Sequence, residues 1–387
     1  MATYYASVRI VQASKAYWPH VGGIETVVQQ LAEGFHRRGI ESSVVVAADD
    51  RHGQASSTNG VRVVRSATYG RMRSVPISPS FPIKLLKQRG DALLIHEPSV
   101  LPELTLALTS PLVRRNFSTI GLWWHSDIVR QQVLLKFFGP ALRRALSLVD
   151  VIFTATPAHL SSSEMLGPFA EKVTFVPYGL NLQRFVSDPL IEHRAEEWRS
   201  LLGKKIVLFV GRLVYYKGIE ELIRAANYLP DAHFIIVGTG EKAQFIDESQ
   251  AMKAGRITLL NFVDDDELRS LLRAADVFVL PSVANTEAFG IVQAEAMASG
   301  TPVVTFDLPT GVTWVNRHEE TGLVAVLGHP DSLSRAIDRL LTDETLRAKL
   351  GARAKSRAHE LFDEETMCNS VVRALSRSGA STGDNSV

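Results

Sequence analysis

The sequence has a single cysteine, Cys368, among its 387 residues. That excludes an intramolecular disulfide and any cysteine-based zinc site, and it is consistent with a reducing compartment. Long hydrophobic runs are also missing. The most apolar stretch, Ser99–Val113, is broken by Pro102, Glu103 and Pro111, well short of the ~18 apolar residues of a membrane-spanning helix. Met1–Ser7 holds neither a basic nor an apolar segment, so no signal peptide is expected. Hydrophobic residues make up 45% and charged residues 21%, a balance that excludes disorder, collagen and coiled coil for the whole chain. The expectation is a cytoplasmic protein of two domains, soluble or at most peripheral on the inner face of the cytoplasmic membrane.

A net charge of +1 conceals an asymmetry. Residues 1–180 carry 19 Lys and Arg against 12 Asp and Glu, and the remainder carries 23 against 29. A basic first half suits an anionic partner. A phosphorylated acceptor and an anionic membrane surface both fit. Nucleic acid is not expected, because no recognition module and no interleaving of aromatic with basic residues is present. Arg114-Arg115 and Arg143-Arg144 fall in helical patterns, where a solvated face and a membrane-facing one are equally compatible.

Apolar runs rich in Val and Ile recur at Val8–Ala13, Ser43–Ala47, Val61–Arg65, Ala92–Ile95, Thr119–Trp123, Val151–Thr154 and Val173–Val176. A second series follows at Ile206–Val210, His233–Val237, Ile257–Leu260, Val277–Leu280 and Pro302–Thr305. Continuous apolar strands suit a parallel sheet covered on both faces. Helical periodicity between them, as in Thr26–Arg38, makes the class α/β. Two series imply two Rossmann-like doubly wound domains facing across a cleft. The expected domains are 1–180 and 181–361, with a helix over about 362–377 packing back onto the first and a disordered polar tail at 378–387.

Three loops carry chemistry. Glu287 and Glu295 stand eight residues apart, with Gly290 between them at the start of a helix. A helix N-terminus beside a glycine is a ready anion site, and a carboxylate one turn in can accept hydrogen bonds from vicinal hydroxyls. Arg212 and Lys217 follow strand Ile206–Val210, on the side where open α/β sheets bind ligands. Such a pair suits a diphosphate, Arg as a fork and Lys as a point charge. Gly22 and Gly23 follow the first strand and let backbone approach a ligand closely. Taken singly, these are equally an ordinary helix face, a basic turn and a tight turn.

Together and in this order they resemble the retaining glycosyltransferases of family four, which have the GT-B fold. The resemblance spans nearly the whole chain: Gly22-Gly23, Val176–Asn181 with Arg184-Phe185, Gly211-Arg212 through Lys217-Gly218, Val237–Gly240, and Glu287 with Glu295 followed by Ala296–Val304. It implies that Arg212 and Lys217 hold the donor diphosphate, that Glu295 holds the ribose, and that Glu287 contacts the donor sugar. Backbone near Phe289, Gly290 and Ile291 would bind phosphate, with Gly22, Gly23, Gly238, Phe262, Val263 and Val292 completing the donor site.

His125 looks like the family's active-site histidine, able to stabilise charge or orient a hydroxyl. The alternative is a core histidine behind Trp123 and Trp124. The stretch from His125 to Gln131 is most similar to bacterial mannosyl- and rhamnosyltransferases of O-antigen or exopolysaccharide synthesis, with Asp127 and Arg130 on the acceptor side. The implied donor is GDP-mannose, or else a UDP-sugar. The implied acceptor is a saccharide or a polyprenyl-diphosphate-linked saccharide. Neither cofactor nor metal is expected. Three departures blur the donor: Tyr178 in the hinge, Ala288 after Glu287, and Tyr215-Tyr216 between Arg212 and Lys217.

Other readings are weaker. Gly238-Thr-Gly240 with Ala243 fits a loose dinucleotide fingerprint, and thus an NAD-dependent oxidoreductase, but it follows the second strand of its series rather than the first. Asp264–Glu267 resembles a metal cluster but begins a helix, where acidic residues cap. A non-catalytic sugar-nucleotide-binding subunit and an epimerase are the remaining alternatives.

Overall fold

The structure is a computed structural model, and it describes residues 8–20, 22–72, 75–126 and 132–380. Asp127 and Arg130 lie outside the described residues, as do residues 381–387 of the tail. The chain divides into two compact units, Met1–Gly179 with Glu364–Val387, and Leu180–Asp363.

Unit 1 holds β1 (Arg9–Ala13), β2 (Glu41–Ala47), β3 (Ala55–Thr58), β4 (Val61–Ser66), β5 (Arg71–Met72), β6 (Val75–Pro76), β7 (Gly90–Glu97), β8 (Phe117–Trp124), β9 (Val151–Thr154) and β10 (Val173–Phe175). Eight of these form one sheet in the order β10-β9-β8-β7-β1-β2-β4-β3. It is parallel except where β3 pairs with β4, and β5 with β6 forms a separate ribbon. The valine run of β2 shows why the sequence reads as continuous rather than alternating. Val45 packs into the core on one face, with Val11, Leu93 and Ile120, while Val44 and Val46 pack on the other with Val28 and Ala32. Side chains alternate across the sheet, so a strand covered on both faces is apolar at every position.

Unit 2 holds β11 (Lys205–Val210), β12 (Ala232–Val237), β13 (Ile257–Leu260), β14 (Val277–Leu280), β15 (Val303–Phe306) and β16 (Gly322–Ala325). They form one sheet in the order β13-β12-β11-β14-β15-β16, with every pairing parallel. Counted within the unit this is 3-2-1-4-5-6, the Rossmann order, whose ligand crevice opens where the order reverses. Here that point lies between β11 and β14, joined through Val207 with Val277 and Leu208 with Phe278.

The sequence pattern misses β3, β5, β6 and β16. β3 is Ala-Ser-Ser-Thr, an exposed antiparallel edge with no apolar face to announce it. β5 and β6 are two residues each. β16 begins at Gly322, where a side chain would overlap the Val303 carbonyl, so its tight fit against β15 is written in a missing side chain. Ser99–Val113, with its two prolines, is part of a helix, Val100–Asn116, bent at Thr109 just before Pro111. The C-terminal helix Glu364–Ala380 belongs to unit 1, where it packs on helix Gly23–Arg37 and on β8. Glu364 pairs with Arg37 there, and Arg38 donates to Asn369 at 3.3 Å.

Candidate functional site

In unit 2 the sequence-identified residues gather at the switch point. β11 ends at Val210 and leads into Gly211–Gly218, while β14 ends at Leu280 and leads into Pro281–Gly290. The two loops are docked on each other. Val283 N–H donates to the Tyr216 carbonyl at 2.8 Å, and Gly218 lies so close to the Pro281 carbonyl that any side chain would overlap it. This docking sets Lys217 Nζ 2.5 Å from Glu287 Oε2, both side chains nearly buried. Ser282 donates its hydroxyl to the same oxygen at 2.9 Å. Arg212 has no carboxylate within 4 Å among the described residues and donates to the Tyr216 hydroxyl at 3.3 Å. One cation is thus half-neutralised and its neighbour is not.

Gly290 adopts φ +74°, a left-handed turn open to glycine, and caps helix Ile291–Ala298. The first-turn N–H groups of Ile291 and Val292 have no carbonyl within the helix to reach. Phe289 is buried edge-on against Phe362. Gln293, fully buried, donates its amide to the Phe289 carbonyl and so fixes the turn. One turn on, Glu295 accepts from Arg184 at 3.4 Å. Burial raises the Glu295 carboxyl above its ordinary range, and the Arg184 guanidinium opposes the shift. Arg184 also pairs with Asp265. Sequence reasoning singled out neither Ser282 nor Asp265 as site residues; Ser282 had only its place after a strand end to mark it.

The acidic run has partners of its own. Asp264 accepts from Glu267 N–H at 2.8 Å as a helix cap, Asp266 pairs with Arg269 at 2.6 Å, and Glu267 accepts from Trp198 Nε1 at 2.6 Å. Among the described residues no group of three His, Cys, Asp or Glu is placed to hold a metal ion. The glycines of Gly238-Thr239-Gly240 also serve packing. Gly238 (φ +147°) and Gly240 (φ +154°) lie against the backbone of Gly211 and Leu213, and Leu213 N–H donates to Thr239 at 2.8 Å. Their close approach is to the neighbouring loop. Phe262 is 87% exposed at the end of the β13 loop, and Val263 is partly exposed beside it.

In unit 1, His125 follows β8 directly and is buried. Its ring stacks on Trp123 at 5.7 Å between centroids and on Tyr178 at 5.6 Å. Both ring nitrogens are bonded, Nδ1 to the Tyr178 hydroxyl at 2.6 Å and Nε2 to His96 Nδ1 at 2.9 Å. His96 Nε2 reaches Gln12 Oε1 at 2.8 Å, and Gln12 Nε2 reaches the Val28 carbonyl at 3.3 Å. A carbonyl can only accept, so every proton in the chain is assigned. Gln12 donates to Val28, His96 Nε2–H donates to Gln12, His125 Nε2–H donates to His96 Nδ1, and Tyr178 O–H donates to His125 Nδ1.

The chain is neutral throughout. Burial pushes His96 down to about 3 and holds His125 well below the ordinary histidine range, with His96, His159 and Lys15 adding to the shift. Burial thus disfavours the imidazolium form of His125, and within unit 1 its Nδ1 accepts from the Tyr178 hydroxyl.

Gly22 and Gly23 also belong to unit 1. Gly22 caps helix Gly23–Arg37, and the Glu25 carboxylate folds back over it so closely that a side chain would overlap. The chain's own carboxylate thus occupies that helix end.

Residues 22–179 match the family described as glycosyl transferase 4-like domain, and residues 192–357 the family described as glycosyl transferases group 1. The chain is 32% identical over 358 residues to the D-rhamnosyltransferase WbpZ of Pseudomonas aeruginosa, covering 92% of each. It is 28% identical over 370 residues to O-antigen chain mannosyltransferase C of Escherichia coli, covering 94% of this chain and 97% of that one. Sucrose-phosphate synthase from Thermosynechococcus elongatus shares the fold with a TM-score of 0.78 at 22% identity, covering 97% of this chain and all of that one. Motifs, Rossmann sheets and relatives agree: the chain belongs to glycosyltransferase family four and has the GT-B fold.

Proposed function

We propose that this glycosyltransferase transfers mannose from GDP-mannose, with retention at the anomeric carbon, to a lipid-linked saccharide in the synthesis of a bacterial cell-surface polysaccharide. One observation carries the reading: at the switch point of unit 2, Arg212 and Lys217 share a docked loop pair with Glu287. A leaving nucleoside diphosphate gathers negative charge as the glycosidic bond breaks. Arg212 is uncommitted to any carboxylate and takes that charge as a fork, while Lys217, steered by Glu287, adds a point charge. Fixed cations do this work without a metal, so transfer persists in EDTA. The N–H groups of Ile291 and Val292 face phosphate, Glu295 accepts from the ribose hydroxyls, and Phe262 offers a ring face to the base. Unit 1 receives the acceptor.

Two relatives that match over nine-tenths of the chain are named as a rhamnosyltransferase and an O-antigen mannosyltransferase, which supports a hexose donor of this type and a surface glycan as product. No described helix is long and apolar enough to cross a membrane, so a lipid-linked acceptor would be met at the membrane surface. The test is a thermal-shift panel with GDP, UDP, ADP, CMP and NAD. A ligand at 100 times its Kd adds about 2.7 kcal/mol of stability. A selective GDP shift supports the reading, a UDP shift replaces the donor, and a shift with NAD alone overturns it. The anomeric configuration of the product, read by NMR, decides retention.

A further inference from the structure

Ligands of open α/β sheets gather at the carboxyl ends of the strands. The opposite end of the unit 1 sheet holds a cavity of about 570 Å3, at the starts of β1, β2 and β4 and just before β7. Arg9, His36, Glu41, Arg62, Lys87 and Arg89 line it. One carboxylate, Glu41, is thus in the lining and another, Asp91, stands nearby. Glu41 pairs with Arg9 at 2.9 Å, and Asp91 accepts from the Arg9 N–H at 2.7 Å. Among the described residues, Arg62, Lys87 and Arg89 have no carboxylate within 4 Å.

Other cations are held closely, Arg114 by Asp150 at 2.6 Å and Arg269 by Asp266 at the same distance. Three exposed cations without a carboxylate partner around one concavity focus a positive potential there.

We infer that this cavity binds a phosphate-bearing ligand with two or more negative charges. Arg62 and Arg89 supply planar forks for phosphate oxygens and Lys87 a point charge. A volume of this size exceeds a bare phosphate and falls within the range of small-molecule pockets. The phosphate therefore comes with a body attached, either a soluble sugar phosphate or a lipid headgroup. The cavity is built from unit 1 alone and does not depend on the donor proposed for unit 2.

The first measurement uses the full chain and phenylglyoxal, which modifies arginine. Peptide mass mapping should show modification of Arg62 and Arg89 slowed at least fivefold by millimolar inorganic diphosphate, with exposed Arg335 unaffected. Equal slowing at all three, or none, overturns the site. The second is calorimetric titration with inorganic diphosphate in the Arg212→Ala/Lys217→Ala protein, where the unit 2 loops no longer compete. One saturable site is expected. Adding Arg62→Ala with Arg89→Ala should raise its Kd more than tenfold. These side chains are at the surface, and the melting temperature verifies folding. Absent binding, or binding indifferent to the arginine substitutions, refutes the inference. Glucose 6-phosphate and vesicles containing phosphatidic acid then separate the sources. Either one, bound by the intact cavity and lost with the two arginines, identifies which phosphate it takes.

Discussion

The two units prepare their chemistry in opposite ways. At the unit 2 switch point, charge is left partly unspent: Lys217 is paired, Arg212 is not, and both stand on loops anchored by backbone contacts. In unit 1, His125, His96, Gln12 and Tyr178 are buried, neutral and fully bonded to one another. Electrostatic catalysis needs groups whose partner arrives with the substrate, whereas a buried polar chain must be satisfied before any substrate comes. Substitution should therefore separate the two regions. Unit 2 variants lose turnover while the fold survives, and unit 1 variants lose stability first.

The largest effect is expected at Arg212. Arg212→Ala should lower kcat by roughly 10²–10³, the scale for removing a group that meets developing charge. Lys217→Ala should do the same and also leave the Glu287 carboxylate without its cation. Circular dichroism melting of Arg212→Ala should match the parent, because its side chain makes no ion pair to lose. Parental turnover in both variants would sink the assignment.

A smaller effect is expected at Glu295, where the proposed contact is with a part of the donor that does not react. Glu295→Gln should raise the donor KM about tenfold with kcat nearly kept, the signature of uniform binding. An unchanged KM removes Glu295 from the site.

The contrast also explains what the sequence made legible. Charged residues after strand ends stand out at fixed spacing, so Arg212, Lys217, Glu287 and Glu295 were found from pattern and then brought to one crevice by the 3-2-1-4-5-6 order. Strands covered on both faces announced themselves as Val and Ile runs. The histidine chain was hidden because its members come from four distant places: Gln12, His96 and His125 are joined by β1, β7 and β8 lying side by side, and Tyr178 enters from the segment after β10. The meaning of Gly238 and Gly240 was hidden for the converse reason. A glycine pair reads the same whether the close neighbour is a ligand or, as here, the next loop.

Tyr178→Phe tests the unit 1 side directly. It keeps the ring stack and deletes one donor, leaving His125 Nδ1 buried without a partner. A loss of about 1 kcal/mol is expected, read by urea unfolding, with a second consequence in pH. His96 and His125 have folded pKa values lowered below their unfolded value, so the unfolded chain binds more protons in acid. The stability they contribute is present above the unfolded pKa of about 6.5 and lost as pH falls below it. Melting temperatures should drop from pH 7 to pH 5, and a His96→Gln variant should drop less. Curves that coincide for both proteins would mean that the chain is not what acid attacks.

The mildest effect has the opposite sign and closes the contrast from the alkaline side. Glu97 and Glu103 are fully buried, and both accept from the Ser99 N–H, at 3.3 and 3.2 Å. Burial raises the Glu103 carboxyl well above its ordinary range, and the Glu97 charge raises it further. Two buried carboxyls that share one N–H donor disfavour ionising together, so the folded state favours keeping a proton on the pair. The folded state thus binds a proton that the unfolded chain releases near pH 4.3, and stability falls as pH rises from there through the raised folded pKa. Glu103→Gln supplies an N–H where that proton sat and cannot ionise. Its melting temperature should therefore equal the parent's at pH 5 and exceed it by a few degrees at pH 8. Parallel profiles would show that the pair carries no shared proton, and that unit 1 is not neutral throughout its buried polar core.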